Sequence, residues 1–259
     1  MSAAPDPQSS GHMTIWEHLA ELRSRLIKVC IAVVLGAVVG WFLWPYLIDF
    51  LLRPFHELQP DTDLIATGPL DAFALRIKMS GYIGIALAMP VIMWQLWRFI
   101  TPALYPHEKK YAIPFTASAV VLFVMGATLA YYVLNPTLNF LIEIGGTDIE
   151  PLYTAPSYVN LIVFMMLAFG IGFEFPVVIV ALQLIGVVTP RTLLGWWRPA
   201  LLVVVVIAAV ITPSGDPISM FALAIPMALL YFLSIAVGAV VLKLRRRKAA
   251  KAEQVGTSG

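Results

Sequence analysis

The chain has 259 residues, 60% of them hydrophobic and 12% charged, with a mean hydropathy of +0.86. Those values lie well outside the soluble globular range and exclude a water-soluble enzyme or a basic nucleic-acid-binding domain. The lone Cys30 excludes an internal disulfide, and the formal charge of +2 says nothing until it is mapped onto loops.

Residues 1–13 are rich in Pro, Ser and Gly and are expected to be disordered. Residues 14–28 predict a helix at the membrane interface. Thr14 can cap it, and Glu17 three residues on completes a capping box. Trp16, Leu19, Leu22 and Leu26 share one face, and Glu17, Glu21, Arg25 and Lys28 another. Crossing a hydrocarbon core of about 30 Å takes about 20 mainly apolar residues. Six stretches are candidates: 27–47, 73–100, 114–134, 158–184, 199–211 and 219–242. The first is followed by no small-residue cleavage site, which predicts a retained helix and not a cleaved signal peptide. The fifth would be about 20 Å long at 1.5 Å per residue, shorter than the bilayer core. Pro90, Pro176 and Pro226 lie inside these stretches and should kink them. The long connections at 48–72 and 135–157 could each hold a short interfacial helix. Residues 14–242 thus form the membrane domain. Residues 243–259 form a basic tail, expected to be disordered beyond its first few residues.

Charge is distributed unevenly. With the N-terminus inside, only Arg53, Arg76 and Lys78 of the 17 Lys and Arg residues fall outside, while most acids do. The positive-inside rule then places both termini in the cytoplasm, which requires an even number of spans. Residues 243–248 should attract anionic lipid.

Glu174 stands alone as an ionisable residue within the apolar stretch 164–184. A carboxylate at bilayer depth is costly, so its default reading is functional. It could be a structural acid bonded to a neighbouring helix, a titrating group in a proton path, or part of a hydrated concave face that receives a helix.

Five segments, in order, resemble one family. They are His18-Leu19-Ala20-Glu21-Leu22-Arg23-Ser24-Arg25-Leu26; Arg53-Pro54-Phe55; the run from Phe99-Ile100-Thr101-Pro102 to His107-Glu108-Lys109-Lys110; Phe169-Gly170-Ile171-Gly172-Phe173-Glu174-Phe175-Pro176; and Thr212-Pro213-Ser214-Gly215-Asp216-Pro217, followed by Leu223-Ala224-Ile225-Pro226. Together they are similar to TatC, the receptor subunit of the twin-arginine protein translocase. The resemblance covers nearly the whole chain, from about residue 14 to 242.

The fold it implies is an all-α polytopic membrane protein of six transmembrane helices. Both termini lie inside, the helices form a curved, cup-like wall, and the fifth helix is short. The implied task is export of folded proteins across the bacterial cytoplasmic membrane, driven by the proton gradient. The implied partners are twin-arginine signal peptides, the single-span subunits TatA and TatB, and further copies of the receptor. No cofactor is implied.

On the same basis, Glu21 and Glu108 would meet the signal's two arginines. Guanidinium is planar, permanently charged and suited to bidentate carboxylate pairing, which lysine cannot reproduce. The plainer possibilities are a helix ion pair from Glu21 to Arg25 four residues on, and a first-turn acid at Glu108. Phe99 and Leu104 would shape the patch beneath the arginines. Arg23 belongs to that patch too, where it can meet lipid headgroups. Glu174 would sit in an intramembrane polar pocket. Thr212, Asp216 and Pro54 would serve partner docking and structure, Asp216 by capping the sixth helix. The sequence departs from one well-known member type by carrying Met220 and Phe232 where that type has polar residues associated with partner docking.

No Walker A sequence, Gly-x-Ser-x-Gly or His-Glu-x-x-His occurs, and the four histidines are scattered. An enzyme is therefore not expected. The alternative is a proton-coupled secondary transporter using Glu174, although such proteins commonly carry inverted repeats and several intramembrane polar groups.

Overall fold

The computed structural model describes residues 15–60, 64–65, 68–100, 112–145 and 154–256. They form eight helices: α1 Ile15–Leu58, α2 Asp71–Ile100, α3 Ala112–Gly145, α4 Ala155–Gly172, α5 Phe175–Leu184, α6 Pro190–Gly195, α7 Trp197–Ile211 and α8 Pro217–Gly256. The one strand-like pairing described is a bridge between Ile65 and Thr154. Five stretches are long and apolar enough to cross a membrane, with α4 and α5 counted together, and α7 is a shorter sixth.

Four boundaries differ from the sequence expectation. The amphipathic segment from Ile15 runs without a break into the first span, and that helix continues to Leu58. No strong breaker lies between them, and the Leu and Ala run favours propagation. The third helix likewise extends to Gly145, well into the connection predicted at 135–157. The basic tail stays helical to Gly256, because its Lys, Arg and Ala residues are good helix formers. The fourth span is broken, not merely kinked: α4 ends at Gly172 and α5 starts at Phe175, one residue before Pro176. Proline lacks the N–H that would reach the Gly172 carbonyl, and it disfavours helical geometry in the preceding residue. The expected disorder of residues 1–13 lies outside the described residues.

α4 and α5 form the centre. In their apolar window 72% of residues are buried, against 11–33% in the other spans. α1 packs chiefly along α2, α3 along α4, and α5 and α7 along α8. The main core joins Phe55, Met79, Leu134, Ile162, Phe169 and Leu223. Smaller clusters lie on either side of α5, around Trp97, Phe115 and Val177, and around Ile179, Tyr231 and Ile235.

Two internal prolines of α1 are compensated by neighbouring helices. Pro45 frees the Trp41 carbonyl, and Arg76 of α2 donates to it at 2.9 Å while its guanidinium lies 4.2 Å from the Trp41 ring centroid. Pro54 frees the Phe50 carbonyl, and the Tyr131 hydroxyl of α3 donates to it at 3.1 Å, with the two rings stacked at 4.5 Å. A carbonyl freed by a proline inside a membrane helix is satisfied by such donors from neighbouring helices. Tyr131→Phe is therefore expected to cost about 0.5–1.5 kcal/mol. In a Pro54→Ala background, where the backbone N–H is restored, the cost should vanish. Thermal unfolding of the four purified proteins measures the coupling. An equal cost in both backgrounds would show that the hydroxyl serves another contact.

Candidate functional site

At its N-terminal end α1 lies against the end of α2. Glu21 and Arg25, four residues apart with the acid first, form an ion pair through Glu21 Oε1 and Arg25 Nη2. Arg25 Nη1 also donates to the Gln95 backbone carbonyl of α2 at 3.3 Å. The side chains of Arg25 and Glu21 are only 13% and 22% exposed, so the pair is largely covered. Glu21 Oε2 and the Gln95 side-chain oxygen have no hydrogen-bond partner among the described residues. Glu21 thus uses one oxygen to orient Arg25, while the other is covered and unpaired among the described residues.

Phe99, half-buried, lies four residues after Gln95 and so on the same stripe of α2. Trp97, fully buried, packs on Phe115 with ring centroids 4.2 Å apart and fixes this end of α2 against α3. Arg23 is exposed and two residues from Glu21, about 200° around the helix at 100° per residue, so it does not converge on the same point. Glu108 and Leu104 lie outside the described residues.

Glu174 sits at the break between α4 and α5. It is 4% exposed, and neither carboxylate oxygen has a partner among the described residues. It occupies the N-cap position of α5, but its helical backbone (φ −76°, ψ −16°) gives no side-chain cap bond. Phe173 beside it is buried in the main core, and Gly172 lies against Leu223 and Met227 of α8. The carboxylate is therefore enclosed in the bundle in this conformation and does not line an open face.

Thr212 is also turned inward, donating to the Ala208 carbonyl at 2.7 Å. Asp216 caps α8: it accepts from the Ser219 backbone N–H at 2.7 Å and from the hydroxyls of Ser214 and Ser219. Burial pushes its carboxyl up, but these donors together hold it below the usual carboxylate value. Gly215, with φ +61°, supplies the left-handed turn that brings Ser214 back to Asp216. Pro54 is buried within α1 and serves the packing described above. Met220 is half-buried against the main core, whereas Phe232 is 40% exposed.

Sequence reasoning gave Gln183 no role. It is 1% exposed and donates through Nε2 to the Ser234 carbonyl of α8 at 3.0 Å. A Cβ at Gly238 would run into its amide, so that glycine makes the room. A glutamine in an apolar stretch was the available signal, but its partner lies 51 residues away.

A family model described as "Sec-independent protein translocase protein (TatC)" matches residues 17–226. The chain is similar to a protein of Aquifex aeolicus bearing that description, with 38% identity over 91% of this chain and 97% of the relative. One from Koribacter versatilis is 37% identical over 93% and 91%. One from Frankia casuarinae is 36% identical over 87% of this chain, which spans 65% of that longer relative. A crystal structure of the twin-arginine translocase receptor TatC superposes with a TM-score of 0.73 at 38% identity, covering 86% of this chain and 99% of its own.

Proposed function

The chain belongs to the TatC family of Sec-independent protein translocase proteins, and from that premise we propose that it reads twin-arginine signal peptides with the N-terminal end of α1 and the segment after α2. It is a multi-pass membrane protein and a receptor subunit of the twin-arginine translocation system. The observation that carries the recognition step is Glu21, held against the end of α2 by Arg25 with one carboxylate oxygen left unpartnered among the described residues. An incoming guanidinium that displaces the cover over that buried oxygen can take it in a charge-assisted hydrogen bond, while Arg25 keeps the other in place. Glu108, eight residues beyond Ile100 at the end of α2, supplies a second carboxylate for the second arginine. Phe99 and Leu104 provide the apolar ground beneath them.

The remaining parts follow from this role. The signal's apolar segment packs near Glu174 in a state that opens the carboxylate now enclosed at the α4–α5 break. TatA- and TatB-type single-span subunits dock along α7 and α8, and further copies of the receptor assemble with them. The uneven Lys and Arg distribution supports cytoplasmic termini in a bacterial inner membrane. The work of export comes from the proton gradient and not from catalysis by this chain.

The test is binding of a labelled Arg-Arg signal peptide to the purified, detergent-solubilised protein, beside a Lys-Lys peptide and a Glu21→Ala, Glu108→Ala double variant. Each charge-assisted bond contributes about 1.5–3 kcal/mol, so at least a roughly tenfold loss is expected for the Lys-Lys peptide and for the variant. Equal, weak binding of both peptides, unchanged in the variant, would overturn the reading and direct attention to solute transport through Glu174.

A further inference from the structure

A cavity of about 610 Å3 opens between α6 and the end of the apolar run of α8. Its volume is in the range of about 300–1,000 Å3 typical of ligand clefts. Its polar lining is Thr189, Arg191 and Lys243, and its apolar lining includes Leu194, Ala239 and Leu242. The wall is a fixed feature: the Tyr231 hydroxyl of α8 donates to the Leu193 carbonyl of α6 at 2.6 Å, and Thr189 caps α6 by accepting from the Thr192 N–H at 3.2 Å.

We propose that this cavity binds one anionic glycerophospholipid, its phosphate held between Arg191 and Lys243 and the start of its acyl chains on Leu194, Ala239 and Leu242. Charge complementarity selects the headgroup. No Asp or Glu occurs in residues 175–215 or 217–252, so the segments that build the cavity offer its two cations no partner. Arg gives a planar fork for phosphate oxygens and Lys a point charge. The depth is also that of a headgroup. Lys243 ends the apolar run of α8, and Trp196 and Trp197 beside α6 are 64% and 42% exposed, the placement of interfacial aromatic anchors. A free phosphate would satisfy the cations but leave the apolar wall unused. The site thus goes beyond the signal-peptide reading and does not rest on it.

Native mass spectrometry of the full chain tests this, with phosphatidylglycerol and phosphatidylcholine offered at equal concentration. One phosphatidylglycerol per chain should be retained at least tenfold over phosphatidylcholine. An Arg191→Gln, Lys243→Gln variant should lose it at least tenfold. Ala239→Trp, which fills the cavity and keeps both charges, should do the same. Arg53→Gln, Lys78→Gln removes the same charge elsewhere and should leave binding unchanged. Equal retention of the two lipids, equal loss in both charge variants, retention in Ala239→Trp, or displacement by millimolar inorganic phosphate would each overturn the proposal. Since no signal peptide is present, no outcome bears on the receptor reading.

Discussion

Gly84→Ala is expected to destabilise the protein by about 1–3 kcal/mol, whereas Gly81→Ala, three residues earlier in the same helix, should stabilise it by about 0.5–1 kcal/mol. Both changes add one methyl group and remove the same backbone freedom. Their surroundings decide the sign. A Cβ on Gly84 would lie 2.6 Å from the Val33 carbonyl oxygen and 2.7 Å from the Ala37 nitrogen of α1. These are backbone atoms and cannot rotate aside. The approach is reciprocal, since a Cβ on Gly36 would lie 2.8 Å from the Gly84 oxygen. Gly36 and Gly40 form a small-residue stripe of the kind that lets membrane helices approach closely. A Cβ on Gly81 meets nothing within 4 Å. Thermal unfolding of the two variants in the same detergent gives the comparison. Changes of the same sign would refute a backbone-limited contact between α1 and α2. Because the packing of α1 on α2 seats Arg25, which holds Glu21, against Gln95, Gly84→Ala should also weaken Arg-Arg peptide binding, while Gly81→Ala should not.

Glu174→Leu is expected to stabilise the purified protein by about 1–3 kcal/mol and to lower export of a folded reporter carrying an Arg-Arg signal. The carboxylate is enclosed at the break between α4 and α5 and has no hydrogen-bond partner among the described residues. A buried polar group without partners lowers stability, and leucine of similar volume removes that cost without opening a cavity. The expected loss of export assigns the group a use in another state, with a helix against the α4–α5 break. The two readouts separate the structural reading of Glu174 from the two functional ones. A less stable Leu variant would show a structural partner for Glu174. A more stable variant with undiminished export would deny it any part in the process. A Glu174→Gln variant, which keeps a polar group there, should fall between wild type and Leu in stability.

The membrane class, the apolar stretches and a bend at Pro176 could be anticipated from hydropathy and proline chemistry, because these are local properties; the full break between α4 and α5 was not. The ends of the helices could not. Hydropathy reports where lipid begins, not where hydrogen bonding stops, so α1 and α3 outrun their apolar windows. Within the candidate site, Glu21 and Arg25 stood out through their four-residue spacing. That Arg25 also reaches Gln95, 70 residues away, did not.

Composition, charge asymmetry and five ordered motifs were thus sufficient for a polytopic membrane protein of the TatC kind. Which carbonyls freed by Pro45 and Pro54 find donors, which glycines touch backbone, and whether Glu174 meets a partner are properties of the assembled bundle. The reason is distance along the chain. Trp41 and Arg76 are 35 residues apart and Phe50 and Tyr131 are 81 apart. A freed carbonyl carries no local mark of the side chain that will satisfy it. Only the packing of α1 on α2 and α3 brings those groups within hydrogen-bond reach.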